Sequence, residues 1–355
     1  MALFSFKIIP KSSLGIDIGT SLIKAVELSK WGERVKLENY GEVSIFAFYD
    51  KPFRTFEKNT LLLSSKDIAK AILAILEEAK IKERKVTFSV PDFSTFFTTF
   101  DLPPMTEEEV VTAVKYQSRQ YIPLPLSSVT LDWEIIEGRT ADKKTPLKVL
   151  VVAVPNSVIK QYQEIASLAN LELLSLEAEA FSLVRALIGE DRRAIAIIDI
   201  GAQTTTVNIV EKKNLKISHS FDIANYEFTH SLAKSLGIDY KEAEDIKRKY
   251  GLLQSEEKDV AKVLYPIIDM IFLETEKVFN SFYQVEKKEI QKIILSGGAA
   301  LLPGLKEYFA DKFKKETEIA NPFSDIFYPS ILDKKLKDMG PAYTIAIGAA
   351  LRGLE

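Results

Sequence analysis

The chain of 355 residues contains no cysteine. That removes disulfides, thiolate metal sites and cysteine nucleophiles together, and it suits a reducing compartment. Histidine is nearly as scarce: His219 and His230 are the only two, and their spacing is not that of paired ligands on one helix face. A surplus of one charge is also missing. Lys plus Arg is 47 against 50 Asp plus Glu, a net charge of −3, which argues against a surface built to neutralise nucleic-acid phosphates. No uncharged apolar run reaches the roughly 18 residues that a bilayer span needs. The start, MALFSFKIIPKSS, lacks the apolar run and cleavage site of an export signal. Phe4, Phe6, Lys7 and Lys11 read as a partly ordered tail. No linker or basic amphipathic anchor follows the closing TIAIGAALRGLE. The expectation is a cytoplasmic protein that reaches the membrane only through partners. Walker A and G-x-S-x-G patterns are absent too.

What is present is a repeat. LGIDIGTSLIKAVEL (14–28) and AIIDIGAQTTTVNIV (196–210) each read as a β-branched strand, an Asp-Ile-Gly turn, small or hydroxyl residues, and a second strand. Each is followed by another strand, helical patterns and a buried strand: KVTFSVP in the first half, KIILSGG in the second. Two mixed-sheet halves facing one another would leave a cleft with both turns pointing into it. Between them lies a segment the repeat does not explain, residues 93–171, with the pattern of a small α/β insertion. A second, helical insertion covers 225–288.

The turns make chemical sense around a triphosphate. Exposed backbone N–H groups at Gly19 and Gly201, beside Thr20, Ser21, Thr204 and Thr205, suit phosphate oxygens. Asp17 and Asp199 at the strand ends suit the water shell of Mg²⁺, which keeps much of its hydration. ILSGGAALLPGL (294–305) is a strand breaking into Gly297, Gly298 and Ala299, where a flat ring and ribose can approach the backbone. In EAEDIKRKYG, Glu244, Lys247 and Arg248 fall at i, i+3 and i+4, hence on one helix face. That face suits a ribose and adenine, or a solvated charged surface.

These elements, in this order, resemble the actin-like ATPase superfamily. GIDIGTS is similar to its first phosphate motif, DIGAQTTT to the second, and SGGAALLPG to the adenosine motif. LEAEAFSLVRAL (176–187) and PAYTIAIGAALRG (341–353) resemble its two connecting helices. The insertion lies where the FtsA branch carries an extra subdomain. VKYQSRQYIPLPLSSVTLDWEII, GIDYKEAEDIKRKYG and ANPFSDIF give a closer likeness to the PilM family of type IV pilus assembly.

The resemblance implies a bilobal, duplicated RNase H-like α/β fold. A first lobe core would comprise 1–92, 172–190 and 340–355, with the subdomain 93–171 inserted in it. A second lobe core would comprise 191–224 and 289–339, with the helical insertion 225–288. It further implies ATP and Mg²⁺ as ligands, held by Asp17, Gly19, Thr20, Ser21, Lys24, Asp199, Gly201, Thr204, Thr205, Glu244, Lys247, Arg248, Gly297, Gly298 and Ala299, with Asp17 and Asp199 meeting the metal through water. Glu177 is expected to position the attacking water with help from Asp199, with Glu179 as the alternative if the alignment slips. Ala342 stands where the chaperone branch has an acid, so tight binding with slow or negligible turnover is expected. Implied partners are the cytoplasmic N-terminal segment of PilN, other platform proteins and pilus motors. The competing readings are an FtsA-like filament-forming ATPase and a small-molecule kinase of the same superfamily.

Overall fold

The computed structural model describes residues 11–44, 63–140, 144–253 and 259–355. Phe4, Phe6 and Lys7 lie outside them, as does the middle of the loop 138–146.

The first half runs β1 (Lys11–Ile18), β2 (Leu22–Trp31), β3 (Arg34–Ser44), α1 (Ser65–Glu78) and β4 (Lys85–Val90). Ser64 caps α1 by accepting the Asp67 N–H, a contact worth about 1 kcal/mol. Ile68, Ile72, Ile75 and Leu76 form the helix's buried stripe. Then come β5 (Phe96–Leu102), α2 (Glu107–Gln117), β6 (Val129–Glu137), β7 (Leu147–Pro155), α3 (Asn156–Leu168), β8 (Glu172–Ala178) and α4 (Glu179–Leu187). The second half holds β9 (Ile195–Ile200), β10 (Thr205–Glu211), β11 (Asn214–Phe221), α5 (Asn225–Leu236), α6 (Tyr240–Tyr250) and α7 (Val260–Glu286). It ends with β12 (Lys292–Ser296), α8 (Leu305–Phe313), β13 (Glu316–Ile319), β14 (Ile326–Phe327) and α9 (Asp333–Leu354).

The duplication is visible strand for strand. One sheet is ordered β14-β3-β2-β1-β4-β8 and the other β11-β10-β9-β12-β13. In each, three antiparallel strands are followed by two that continue parallel to the first: β4 and β8 beside β1, β12 and β13 beside β9. A parallel strand must be reached by a crossover, which is why helices separate β3 from β4 and β11 from β12. The duplicated α/β fold expected from the resemblance is therefore present.

Two helices join the halves. α4 lays Ala180 and Leu183 on β9, and α9 lays Ala346, Ile347 and Ala350 against β2. The two helices approach closely at Gly348, where a Cβ would sit 2.0 Å from the Ser182 carbonyl oxygen.

A third sheet, β5-β7-β6, stands apart, with Val110 and Val114 of α2 buried against Phe100 and Val149. Thr106 and Glu109 form a capping box, and α2 ends at Gln117, continuing as a 3-10 turn over Ser118–Gln120. Packing also divides the insertion. α3 buries Val158, Tyr162 and Ile165 in the core shared by β1, β4 and α1, with Tyr162 edge-on to Phe88 at 5.6 Å. Similarly β14, though it follows the second half's strands, pairs with β3 of the first sheet.

Candidate functional site

Asp17 and Asp199 each stand one residue from the end of their strands, β1 and β9, equivalent positions in the two repeats. Gly19 N–H donates to the Leu22 carbonyl at 3.0 Å, and Gly201 N–H to that of Thr204 at 2.9 Å, closing two alike turns. Antiparallel register sets Lys24 opposite Asp17, and its ammonium lies 3.2 Å from Oδ2. Ser89 on the neighbouring β4 donates to Oδ1 at 3.2 Å. Asp17 is thus buried with one partner on each oxygen, which leaves further acceptor capacity on both, whereas Gly19, Thr20, Ser21, Gly201 and Thr204 are partly exposed.

The charge of Asp17 acts on Asp199. Burial pushes the Asp199 carboxyl up to about 6, with the charge of Asp17 adding to it and Ser296 and Lys24 opposing. Two further carboxylates share this field. Burial and then Asp199 push Asp92 up to about 7. Glu179 is driven well above its ordinary range by burial, then by Asp92, Asp17 and Asp199. Four acids act on one another here, while the Lys24 ammonium bears on Asp17 and Asp199 alone, so the site is short of positive charge. That is the chemistry of a donor set for a hydrated divalent cation and of phosphates held with it, so Mg²⁺ and a nucleotide fit the residues present.

The glycine pair on the far side divides into two roles. Gly297 has φ +87° and donates to the Pro341 carbonyl at 3.0 Å, and a Cβ there would lie 2.4 Å from the Ile200 oxygen. It is needed for the turn itself. Gly298 is exposed, with no atom within 4 Å of a would-be Cβ. Open space at Gly298 is what a flat ligand would use, while Ala299 is buried and ties its N–H to the Ile200 carbonyl at 3.2 Å.

Several expected contacts are engaged elsewhere. Glu177 is the clearest correction. β8 continues to Ala178, so Glu177 is a strand residue and not part of a helix. Its carboxylate accepts from both terminal nitrogens of Arg185, at 2.5 and 2.7 Å, and from Ser182 at 2.8 Å. Glu179, the first residue of α4, is the one in the field of the aspartates. Thr205 is buried and its hydroxyl donates to the Ile223 carbonyl at 2.6 Å, so it faces away from the turn. Lys247 is buried as well, and its ammonium donates to Asn225, Thr229 and Glu244 at 2.6–2.8 Å. An ammonium has three N–H groups, so none is left for a ribose. These bonds knit α5 to α6. Glu244 also accepts from Arg248 at 2.7 Å. Against the cost of burial, Lys247, Thr229 and Arg248 hold its carboxyl down at about 2. Of the three, the Arg248 side chain is the exposed one. Ala342 packs against the core of Val26 and Leu28.

Asp92 was not singled out from sequence, although one signal was available: an acid directly after the buried run VTFSVP, where a strand end alone would not call for one. Among the described residues no helix is long and apolar enough to cross a membrane.

Comparison with known proteins agrees with this architecture. Cell division protein FtsA of Staphylococcus epidermidis is 22% identical over 196 residues, 48% of this chain and 42% of that protein. FtsA of Streptococcus pneumoniae is 20% identical over 351 residues, 87% of this chain and 75% of that protein. The chain thus spans less than half the length of the first of these relatives. Among solved structures, a PilM–PilN type IV pilus biogenesis complex superposes with a TM-score of 0.81 at 23% identity, covering 97% of this chain and 98% of that one. MreB5 of Spiroplasma citri bound to ADP superposes with a TM-score of 0.54 at 17% identity, over 96% and 95% of the two chains. The profile of type IV pilus assembly protein PilM matches residues 15–354, nearly the whole chain, and the chain belongs to that family.

Proposed function

We propose that this protein binds Mg·ATP between its two duplicated sheets and acts as a nucleotide-dependent cytoplasmic scaffold of a type IV pilus platform. In that role it docks the cytoplasmic N-terminal segment of PilN and links it to the pilus motor. The observation that supports the nucleotide reading is the pair of alike Asp-Ile-Gly turns that close β1–β2 and β9–β10, with Lys24 3.2 Å from Asp17 and bearing on Asp199. Main-chain N–H groups of the turns and the hydroxyls of Thr20, Ser21 and Thr204 would hold phosphate oxygens. Asp17, Asp199 and Glu179 would hold the metal's water, and the surface over Gly298 would take the adenosine. Bound Mg²⁺ would supply positive charge to the phosphates and to these acids. With no acid at Ala342, turnover is slow or negligible.

The partner reading rests on the family and on the similarity to a PilM complexed with PilN. Locally, Ile122, Leu124 and Leu126 of YIPLPL are engaged in packing against Val129 and Ala153. The exposed apolar side chains nearby are Val111, Tyr116 and Tyr121, which suit the rim of a peptide groove.

Titration calorimetry with Mg·ATP tests the site. Wild type is expected to bind, and Asp17→Asn and Asp199→Asn each to bind at least tenfold more weakly. Wild-type affinity in both variants would overturn the cleft. For the scaffold, a peptide copying a PilN N-terminus is expected to bind the full chain, and pull-down from cells to recover pilus inner-membrane proteins. Release of ADP only with an added small acceptor would replace the scaffold by a kinase.

A further inference from the structure

α4 begins without a cap of its own. Its N-cap position is Ala178, which has no side-chain oxygen, and the first N–H groups of a helix have no partner within it. The missing acceptor comes from another part of the chain. Asp92, in the 3-10 turn Asp92–Ser94 after β4, places Oδ1 3.1 Å from the Ala180 nitrogen. In return Glu179 Oε2 accepts the Asp92 backbone N–H at 3.3 Å. The two bonds reproduce the reciprocity of a capping box, divided between segments that are far apart in sequence. Asp92 is 3% exposed, and Asn208 of β10 acts against burial to favour its charged form. The turn that carries it packs against β11 of the second sheet. Asp92 therefore sits where both halves meet, behind the first residue of the connecting helix.

We propose that Asp92 is a positioning residue. By capping α4 from outside, it holds Glu179 in the one orientation that faces Asp17 and Asp199. This rests on the reading of the cleft as a Mg·ATP site. A glutamate at the first position of a helix is otherwise free to turn to solvent or over its own amides. Here the bond from Asp92 N–H selects one arrangement, and that bond lasts only while the first turn of α4 stays in place. The side chain of Asp92 keeps it there.

Asparagine retains an acceptor oxygen of the same shape, and alanine does not, so the pair separates capping from mere presence of an acid. Two measurements on the full chain decide the matter. One is hydrogen exchange over 178–187 without ligand. The other is Mg·ATP affinity for wild type, Asp92→Asn, Asp92→Ala, Glu179→Gln and the double variant Asp92→Ala/Glu179→Gln. Asp92→Ala is expected to speed exchange at the start of α4 and to weaken Mg·ATP about tenfold. Asp92→Asn should stay within about twofold of wild type on both. The double variant should bind no more weakly than Glu179→Gln alone, because residues acting through one another are not additive.

Multiplying losses in the double variant would overturn the proposal, as would wild-type Mg·ATP affinity in an Asp92→Ala protein that only melts earlier. If the alanine variant does not fold, Asp92→Ser, which shortens the reach of the oxygen, takes its place. Absence of Mg·ATP binding in wild type would instead defeat the cleft reading, and unchanged exchange in Asp92→Ala would then defeat the cap on its own.

Discussion

Lys148 and Glu286, 138 residues apart in the chain, meet at 2.7 Å and tie the inserted sheet to the end of α7. The pair belongs to a larger network. Lys216 of β11 pairs with Glu137 of β6 and lies 3.9 Å from Glu286, and Lys288 pairs with Glu211 of β10. Glu137, Glu211 and Glu286 bring their oxygens within 4.8 Å of one another, and three lysines balance them. Burial alone would pull the Lys148 ammonium down, but Glu286, Glu137 and Asp101 outweigh it and hold it above its ordinary range. Glu286→Gln should therefore leave Lys148 and Lys216 under-compensated, with a loss on the order of 1–3 kcal/mol. Equilibrium denaturation checks this. A midpoint equal to wild type would mean that the network contributes nothing.

The glycines at 297 and 298 should respond oppositely to the same change. Gly298→Val adds a side chain in open space, so melting should move little while Mg·ATP affinity falls at least tenfold. Gly297→Val drives a Cβ toward the Ile200 backbone at a positive φ, so the fold itself should suffer, by more than about 1–3 kcal/mol. Calorimetry and thermal melting of the two variants side by side read this out. Equal loss of binding in both, with equal melting, would remove Gly298 from the ligand surface.

The duplication was legible because each half repeats an unusual string: Asp17-Ile18-Gly19 and Asp199-Ile200-Gly201 come between two β-branched runs, and strand periodicity carries the rest. Caps were legible too, since Ser64 with Asp67 and Thr106 with Glu109 act within one turn of chain. What sequence could not supply was side-chain direction where a strand becomes a helix. Glu177 and Glu179 differ by two residues, and only the pairing of β8 with β4 up to Ala178 decides which is the last strand residue and which opens α4. Nor could spacing show that Lys247 is satisfied. Its helix-face geometry is as expected, but Asn225 and Thr229 arrive from another helix. Asp92 shows the same limit, being a cap whose helix begins far away in sequence.

The two glutamates should separate cleanly in variants. Glu177→Gln breaks a bidentate pair with Arg185, which also holds the Gly348 carbonyl at 3.3 Å and Glu355 at 2.8 Å. Removing the charge of one partner in this partly buried pair costs about 1–3 kcal/mol, so melting should drop while Mg·ATP affinity stays near wild type. Glu179→Gln removes like charge from a crowded carboxylate cluster. It should leave melting unchanged or raised while weakening Mg²⁺-dependent binding. The reverse pattern would restore Glu177 to the site.

The crowded acids also set the sign of the pH response. Asp92 is pushed from an ordinary value near 3.8 to about 7, and Asp199 from near 3.8 to about 6, burial being the main cause in both. Between these limits the folded protein binds more protons than the unfolded chain, so stability falls as pH rises. The contribution is fully present below about 3.8 and is lost as pH passes through 7. Glu244 runs the other way. Depressed to about 2, it stabilises above its ordinary value near 4.5 and loses that as pH falls toward 2. The window from about pH 5 to 8 therefore isolates the cleft. Without ligand, wild type should resist denaturant better at pH 5.5 than at pH 8, and Asp92→Asn should show a smaller difference. Mg²⁺ requires the ionised acids, so Mg·ATP affinity should rise with pH across the same range. Denaturant titrations that show wild-type stability flat or rising from pH 5.5 to 8 would mean that these carboxylates do not share one field.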